Sequence, residues 1–417
     1  MTFKMAVLAV LGLMLLIPLE MVKDVIKERA AYAGEVKSEI GTLWAGAQTI
    51  TGPVLNVPGS KKISTDGSMA TTTLHILPVE LNIVASVTPE IRYRGIYETV
   101  VYDSDVKISG RFMHEAIAAT GDYIYDWSRA YFSLGVSDNK GLKGQIVLNA
   151  GGLSVDAEPG TGQADVFRKG ISFPFPIEDI NGFEGTFDIS LKLKGSEGIY
   201  FSPVGKTTSV SLSSPWTTPS FQGNFLPVER KINEEGFTAS WVVTHLNRNF
   251  PQVWTGAGYT PETDSFGANL MLEVDHYTKT ERSAKYGLLF IALTFFVLIM
   301  VEVRTSQNIS IFYYVLTGFA LIIFFSLMSA LSEHTGFSAA YLIASAATIA
   351  LLSLFFRSLL QKGWIVLVVS GMLTVLYSFI FVLLALKDYA YLAGNIGLFI
   401  LLAVLMLVST KYKLFRS

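Results

Sequence analysis

The residues of this chain that could do chemistry are few and scattered. Of the five histidines, His75, His114, His245, His276 and His334, no two have the His-Glu-x-x-His spacing that sets two imidazoles and a base on one helix face. A zincin-type metal site is therefore not encoded, and hydrogen-bonded or solvent-facing structural histidine is the better account of all five. Cysteine is absent, which excludes disulfides, thiolate zinc sites, iron–sulfur clusters and cysteine nucleophiles. Gly205-Lys206-Thr207 looks like the end of a phosphate-binding loop, but the glycine that opens such a loop would stand at position 200, which is Tyr200. Gly160-Thr161-Gly162 lacks the third glycine of a dinucleotide loop, because position 165 is Asp165. No Gly-x-Ser-x-Gly elbow occurs. The expectation is a chain with no catalytic residue, no bound cofactor and no metal.

Two polar groups remain. Glu333-His334 lies in the stretch Ser332 to Gly336, a predicted loop between two apolar runs. A carboxylate beside an imidazole at a membrane face could sense pH or guide a proton. The preferred reading is plainer: a turn and a helix start, with Ser332 or Thr335 as cap and Gly336 as punctuation. Lys279, Arg282 and Lys285 precede another apolar run, where three basic side chains suit contact with anionic headgroups. Glu302 and Asp388 read as interfacial charges. Trp44, Trp127, Trp216, Trp241 and Trp254 could stack on sugars, although core packing is the better reading for aromatics in a β-rich region.

The elements that must position these residues divide sharply by composition. Of 417 residues 51% are apolar and 16% charged, with a mean hydropathy of +0.44. Soluble domains carry about 25% charged residues. The net charge of −2 leaves no electrostatic footprint for nucleic acid. A bilayer core of about 30 Å needs about 20 apolar helical residues. Five predicted spans fall at about 286–303, 309–331, 337–356, 364–386 and 389–410, forming a C-terminal bundle over 285–417. A sixth, residues 1–22 with the run Met5 to Leu19, is an N-terminal anchor. Ala31-Tyr32-Ala33 resembles a cleavage site but stands too far beyond Leu19, so the anchor is read as uncleaved. Lys4, Arg304, Arg357, Lys362, Lys411, Lys413 and Arg416 would share one side of the membrane, against Lys387 in the short loops of the other. That asymmetry places both termini in the cytoplasm and the insertion between the first two spans outside it. Hydroxyl and small residues in the spans, Ser326, Ser329, Ser353 and Ser370 among them, look like helix-packing contacts. No acid or base lies near a midplane, which disfavours an ion-driven transporter but not a lipid path with neutral walls.

Residues 23–284 form that insertion. Its first part, about 23–46, spaces Val25, Ala30, Ala33, Val36, Ile40 and Leu43 at helical intervals and reads as an amphipathic helix. Beyond Gly52-Pro53 the period becomes two: Phe187, Ile189, Leu191 and Leu193 alternate with polar residues, as do Phe237, Ala239, Trp241 and Val243. Glycine-rich turn clusters separate the runs. The fold class expected is membrane α+β: an N-terminal transmembrane helix, a large β-rich, sandwich-like extracytoplasmic domain, and five C-terminal transmembrane helices.

Several fragments together resemble the CreD family of bacterial inner-membrane proteins. They are Trp44, Gln48 and Gly52-Pro53; Arg94-Gly95-Ile96-Tyr97-Glu98 with Val101-Tyr102; Ala130 to Asp138 with Gly141; Ser213-Ser214-Pro215-Trp216; Ala239-Ser240-Trp241; Glu281 to Tyr286; and Leu331-Ser332-Glu333-His334. The resemblance spans essentially the whole chain. It implies a multi-pass inner-membrane protein with a periplasmic domain, acting in envelope integrity, colicin tolerance and β-lactam stress, and it carries no catalytic residues. The function expected is non-enzymatic binding of an envelope component. The partners implied are the lipid bilayer and an envelope protein, lipid or glycan, not nucleic acid. The alternatives are a lipid- or glycan-handling transporter, flippase-like in kind, and an outward-facing hydrolase of unfamiliar geometry.

Overall fold

The computed structural model describes residues 2–62, 69–113, 123–162, 166–178, 185–270, 276–305, 308–360, 363–386 and scattered positions of 392–406. The chain divides into two compact units, Glu35–Glu273 and the remainder, Met1–Gly34 with Val274–Ser417.

The unit Glu35–Glu273 is β-rich because its sequence alternates. In the strand Thr186–Ser196 the side chains of Phe187, Ile189, Leu191 and Leu193 are buried while Asp188, Ser190 and Lys192 face out. Among the described residues the strands form two sheets, one of ten and one of eight. The eight-stranded sheet runs in the order Glu229–Asn233, Gly236–Thr244, Thr207–Ser214, Glu80–Arg94, Tyr97–Arg111, Thr186–Ser196, Leu142–Ala150, Leu153–Asp156. Its centre is a hairpin of two fifteen-residue strands in which Arg94 pairs with Tyr97. Gly95, at φ 63°, and Ile96 make the two-residue turn, so the fragment Arg94 to Glu98 is a hairpin tip. The ten-stranded sheet is organised on Gln48–Lys62, which pairs in parallel with Gly198–Phe201 and antiparallel with Met69–Ile76 and Tyr131–Val136.

Both sheets feed one core. Ile50, Val54, Phe132 and Phe173 of the first pack in the same cluster as Ile83, Ile108, Leu191 and Trp241 of the second. Aromatic rings bridge them: Phe132 lies 5.3 Å from Phe112, and Trp241 5.5 Å from Phe266 and 5.8 Å from Phe221. Trp241 is fully buried and its indole N–H donates to the Phe225 carbonyl at 3.1 Å.

The other unit is helical: α1 (Thr2–Met14), α2 (Leu16–Trp44, shared with the β-rich unit beyond Gly34), α3 (His276–Lys285), α4 (Gly287–Thr305), α5 (Ile311–Thr335), α6 (Phe337–Leu360) and α7 (Gly363–Ala385). The irregularity between α1 and α2 at Leu15 has a local cause, since Pro18 has no N–H to offer the Met14 carbonyl. Counted as one, Phe3–Trp44 is 42 residues long and apolar enough to cross a membrane, as are α5, α6 and α7. Among the described residues the expectation of five C-terminal spans is thus met by three. The predicted span 286–303 becomes α3 and α4, which qualify only as a pair bent by 41° at Tyr286. The last, 389–410, falls largely outside the described residues, as does Asp388.

The predicted loop Ser332 to Gly336 is not a loop. Helix α5 continues to Thr335, Gly336 alone turns the chain at φ 75°, and α6 begins at Phe337. Ser332 and Thr335 do not cap the next helix: their hydroxyls donate backward, to the carbonyls of Ser329 and Leu331. Glycine supplies the left-handed link that other residues resist.

The helices pack through small residues and aromatics. Phe290, Phe324, Tyr341 and Tyr377 form a nested group, with Phe290 and Tyr377 4.6 Å apart. Ser353 and Ser370 join α6 to α7 by a hydroxyl contact of 2.6 Å. A Cβ added at Gly318 of α5 would collide with the Leu15 side chain, whereas one at Gly371 of α7 would meet nothing within 4 Å. Gly318→Ala is expected to lower stability by about 1–3 kcal/mol through overpacking. Gly371→Ala gains helix propensity of up to about 1 kcal/mol. Melting midpoints of the two full-length variants in detergent should therefore shift in opposite directions.

Candidate functional site

In the β-rich unit, the residues that carry the family resemblance converge where α2 ends. Gln48 is fully buried, and its amide donates to the carbonyls of Asp138 and Lys194 at 3.0 Å each. Its oxygen accepts from the Asp138 N–H at 3.3 Å. The Asp138 carboxylate in turn accepts the N–H groups of Gly46 and Lys140 at 3.1 Å. Gly141 is required because a Cβ there would strike the Lys194 carbonyl and the Gln48 amide. Tyr102, buried and so held neutral well above the usual phenol range, donates to the Gly198 carbonyl at 2.8 Å. Trp44 does not pack in the core: Lys194 Nζ lies 4.1 Å and the Arg92 guanidinium 4.9 Å from its ring centroid. With two cations on the indole, this tryptophan is a joint for the helix end and not a platform for a sugar. The hydrogen-bonding groups of this joint are spent on one another, so its role is to position elements.

Arg248 is a second fixed point that no sequence pattern revealed. It is buried, donates to the carbonyls of Phe250 and Val204 and to the Gln252 amide oxygen, and stacks 4.2 Å from the Phe250 ring. Burial pushes its guanidinium down to about 10, which leaves it charged at neutral pH. Gln252 extends the network to the Pro78 carbonyl at 2.9 Å.

In the helical unit, Glu302 is more than an interfacial charge. Its carboxylate takes Lys4 of α1 on one oxygen and the Tyr314 hydroxyl, at 3.1 Å, on the other. Lys4 also donates to Asn308 and to the Ile309 carbonyl, at 2.9 and 2.6 Å. One ion pair thereby ties α1, α4 and α5 together.

Glu333 and His334 are adjacent in sequence but separated by the helix: Glu333 is half-buried and accepts the Tyr277 hydroxyl at 2.9 Å, while His334 is exposed. Glu333 borders a cleft of about 390 Å³. Helix α2 contributes Met21, Val22, Val25, Ile26 and, at its mouth, Arg29; α5 contributes Ser326, Ser329 and Ala330. These positions fall at helical intervals, so each helix gives one face. The three basic residues of α3 have separate fates: Lys285 pairs with Glu281 at 3.4 Å, Lys279 lies 5.6 Å from the Phe337 ring, and Arg282 is half-buried. Of the histidines, His75 is buried against Asn56 at 2.7 Å and beside Trp254, and His276 begins α3. His245 lies in a short turn, and His114 is outside the described residues. Among the described residues no three His, Asp or Glu side chains gather as a metal site requires.

Residues 1–414 match the family model described as "Inner membrane protein CreD". The chain is 29% identical over 406 residues to Inner membrane protein CreD of Escherichia coli (strain K12), covering 95% of this chain and 90% of that one. A solved M1 zinc metallopeptidase from Deinococcus radiodurans overlaps 40% of this chain and 39% of its own at 10% identity, with a TM-score of 0.19, too low to carry a shared fold.

The joint makes a measurable demand. Gln48→Leu keeps the side chain's bulk but strips two buried carbonyls of their donor, and should cost about 1–3 kcal/mol. Arg92→Ala removes an exposed stacking partner and should cost under about 1 kcal/mol. Denaturation of the full chain followed by tryptophan fluorescence should rank the two in that order.

Proposed function

The chain belongs to the CreD family of inner membrane proteins, and from that premise we propose that it supports cell-envelope integrity by binding an envelope component, without catalysis, on the solvent face of its eight-stranded sheet. The observation that carries this reading is the composition of that face. On three adjoining strands the outward positions fall in register: Asn82, Ser209 and Val242 in one row, and Ser86, Ser213 and Thr238 in another. Ser211 stands between Val84 and Ser240 in the next row. With strands about 4.8 Å apart, hydroxyl and amide groups predominate in this array, interrupted by the exposed Val84 and Val242. Such an array can meet a polyhydroxylated polymer through many weak hydrogen bonds. The neighbouring strands add alternating charge, with Asp105 opposite Lys192. No nucleophile or base is needed for this role.

In the same reading the β-rich unit is periplasmic, both termini are cytoplasmic, and Lys279, Arg282 and Lys285 lie against anionic headgroups. The basic residues of the short loops support that orientation. The function belongs with colicin tolerance and the response to β-lactam stress, as the family resemblance implies.

Because the chain has no cysteine, a single Ser211→Cys variant provides a clean probe. A membrane-impermeant maleimide should label it in cells with a permeabilised outer membrane, and should not label Arg357→Cys. The double variant Ser211→Arg/Ser240→Arg should accumulate normally yet leave cells sensitive to detergent and β-lactam. Full protection by that variant would overturn binding at this face.

A further inference from the structure

The cleft on the helical unit has a polar end of a particular kind. Lys4 meets Ile309 and Leu15 meets Gly318, so α1–α2 and α5 run side by side in the same direction. That register brings Arg29 level with Glu333, and both border the cleft. The other cations of this part of α2 are spent locally, Lys23 on Glu20 at 2.6 Å and Lys27 on Asp24 at 3.5 Å. Arg29 is exposed and makes no ion pair among the described residues. The Tyr277 hydroxyl holds one oxygen of Glu333 and leaves the other for a further donor. Below this pair of opposite charges the walls are apolar or small, with Val25 and Ile26 facing Ser326, Ser329 and Ala330. Glu333 also lies just past the 23-residue uncharged stretch Ile309 to Leu331, at the level where an apolar helix leaves hydrocarbon for headgroups.

We propose that this cleft holds one phospholipid whose headgroup carries both a phosphate and a primary ammonium, the phosphate at Arg29 and the ammonium at Glu333, with an acyl chain along Val25 and Ser326. The charges select it. An anionic glycerol headgroup satisfies Arg29 but offers Glu333 only uncharged hydroxyls, leaving the carboxylate without a compensating charge. A quaternary ammonium has the right charge but no N–H to give the free oxygen of Glu333. Only a headgroup with donors and charge at one end and phosphate at the other meets both residues. This inference concerns the helical unit and stands apart from the reading of the sheet face.

The test uses the full chain in detergent micelles with equimolar phosphatidylethanolamine, its mono- and dimethyl derivatives, phosphatidylcholine and phosphatidylglycerol of identical acyl chains. Native mass spectrometry reads the lipid retained. Retention should fall along the methylation series, by roughly tenfold from primary to quaternary ammonium, which is the worth of one charge-assisted hydrogen bond. Glu333→Gln should flatten the series. Ser326→Leu, which fills the trough, should reduce all five lipids alike. Equal retention of phosphatidylethanolamine and phosphatidylcholine, preference for phosphatidylglycerol, or unchanged retention in Ser326→Leu would each overturn the proposal. The wild-type series alone decides the matter if the Glu333→Gln protein fails to fold.

Discussion

A single helical stretch much longer than a bilayer is thick sets the terms for the rest of the structure. Phe3–Trp44 is 42 residues long, where a hydrocarbon core takes about 20. Each unit fastens its own part of that stretch. At one end Lys4 is held by Glu302, Asn308 and the Ile309 carbonyl. At the other, Trp44 is clasped by Lys194 and Arg92, and the chain passes directly into Gln48, whose amide is locked to two carbonyls. Along it the helix changes character: apolar residues from Met5 to Leu19, then charges, of which Lys23 pairs with Glu20 and Lys27 with Asp24. The division between the two units falls inside it, at Gly34.

The β-rich unit solves a different problem, that of a large sheet pair with one shared interior. Bulky aromatics, Phe132, Trp241 and Phe266, supply the area that closes the gap between the sheets, and each can be buried because its polar atoms are absent or satisfied. The opposite face of the eight-stranded sheet carries Trp44 at Arg92 and Lys194, and its positions around Ser211 are exposed or half-buried. Short hydroxyl side chains there, with the exposed Val84 and Val242 among them, leave many hydrogen-bonding groups open to solvent.

What the sequence disclosed follows from range. Strand alternation is a two-residue signal and was legible at Phe187 to Leu193. The apolar runs of α5, α6 and α7 were legible by length alone. The pentapeptide Ser332 to Gly336 misled because hydroxyl residues with a glycine look like a loop, yet helix hydrogen bonds continue through them and only Gly336 departs. The sequence predicts a span over 286–303 but does not announce the bend at Tyr286. Partners distant in sequence were beyond reach. Glu302 and Lys4 are 298 residues apart, and Arg248 takes carbonyls from backbone that any residue could provide. The fragments Trp44, Gln48, Tyr102, Asp138 and Gly141 were visible as a set, but their meaning was architectural and emerged only when they met at one joint.

Charge satisfaction distinguishes structure from function in this molecule. Burying a cation without a partner is expensive, and the buried Arg248 meets the demand with backbone and amide oxygens, while the half-buried Lys4 takes a carboxylate. Lys4 and Arg248 take their partners from within the protein, and each is a fastening. Arg29 and Glu333 differ. One has no ion-pair partner among the described residues, and the other is half-met by Tyr277, yet the two stand at the same end of one apolar trough. That the space is kept open, with opposite charges on either side of its mouth, is what separates a binding cleft from a packing fault.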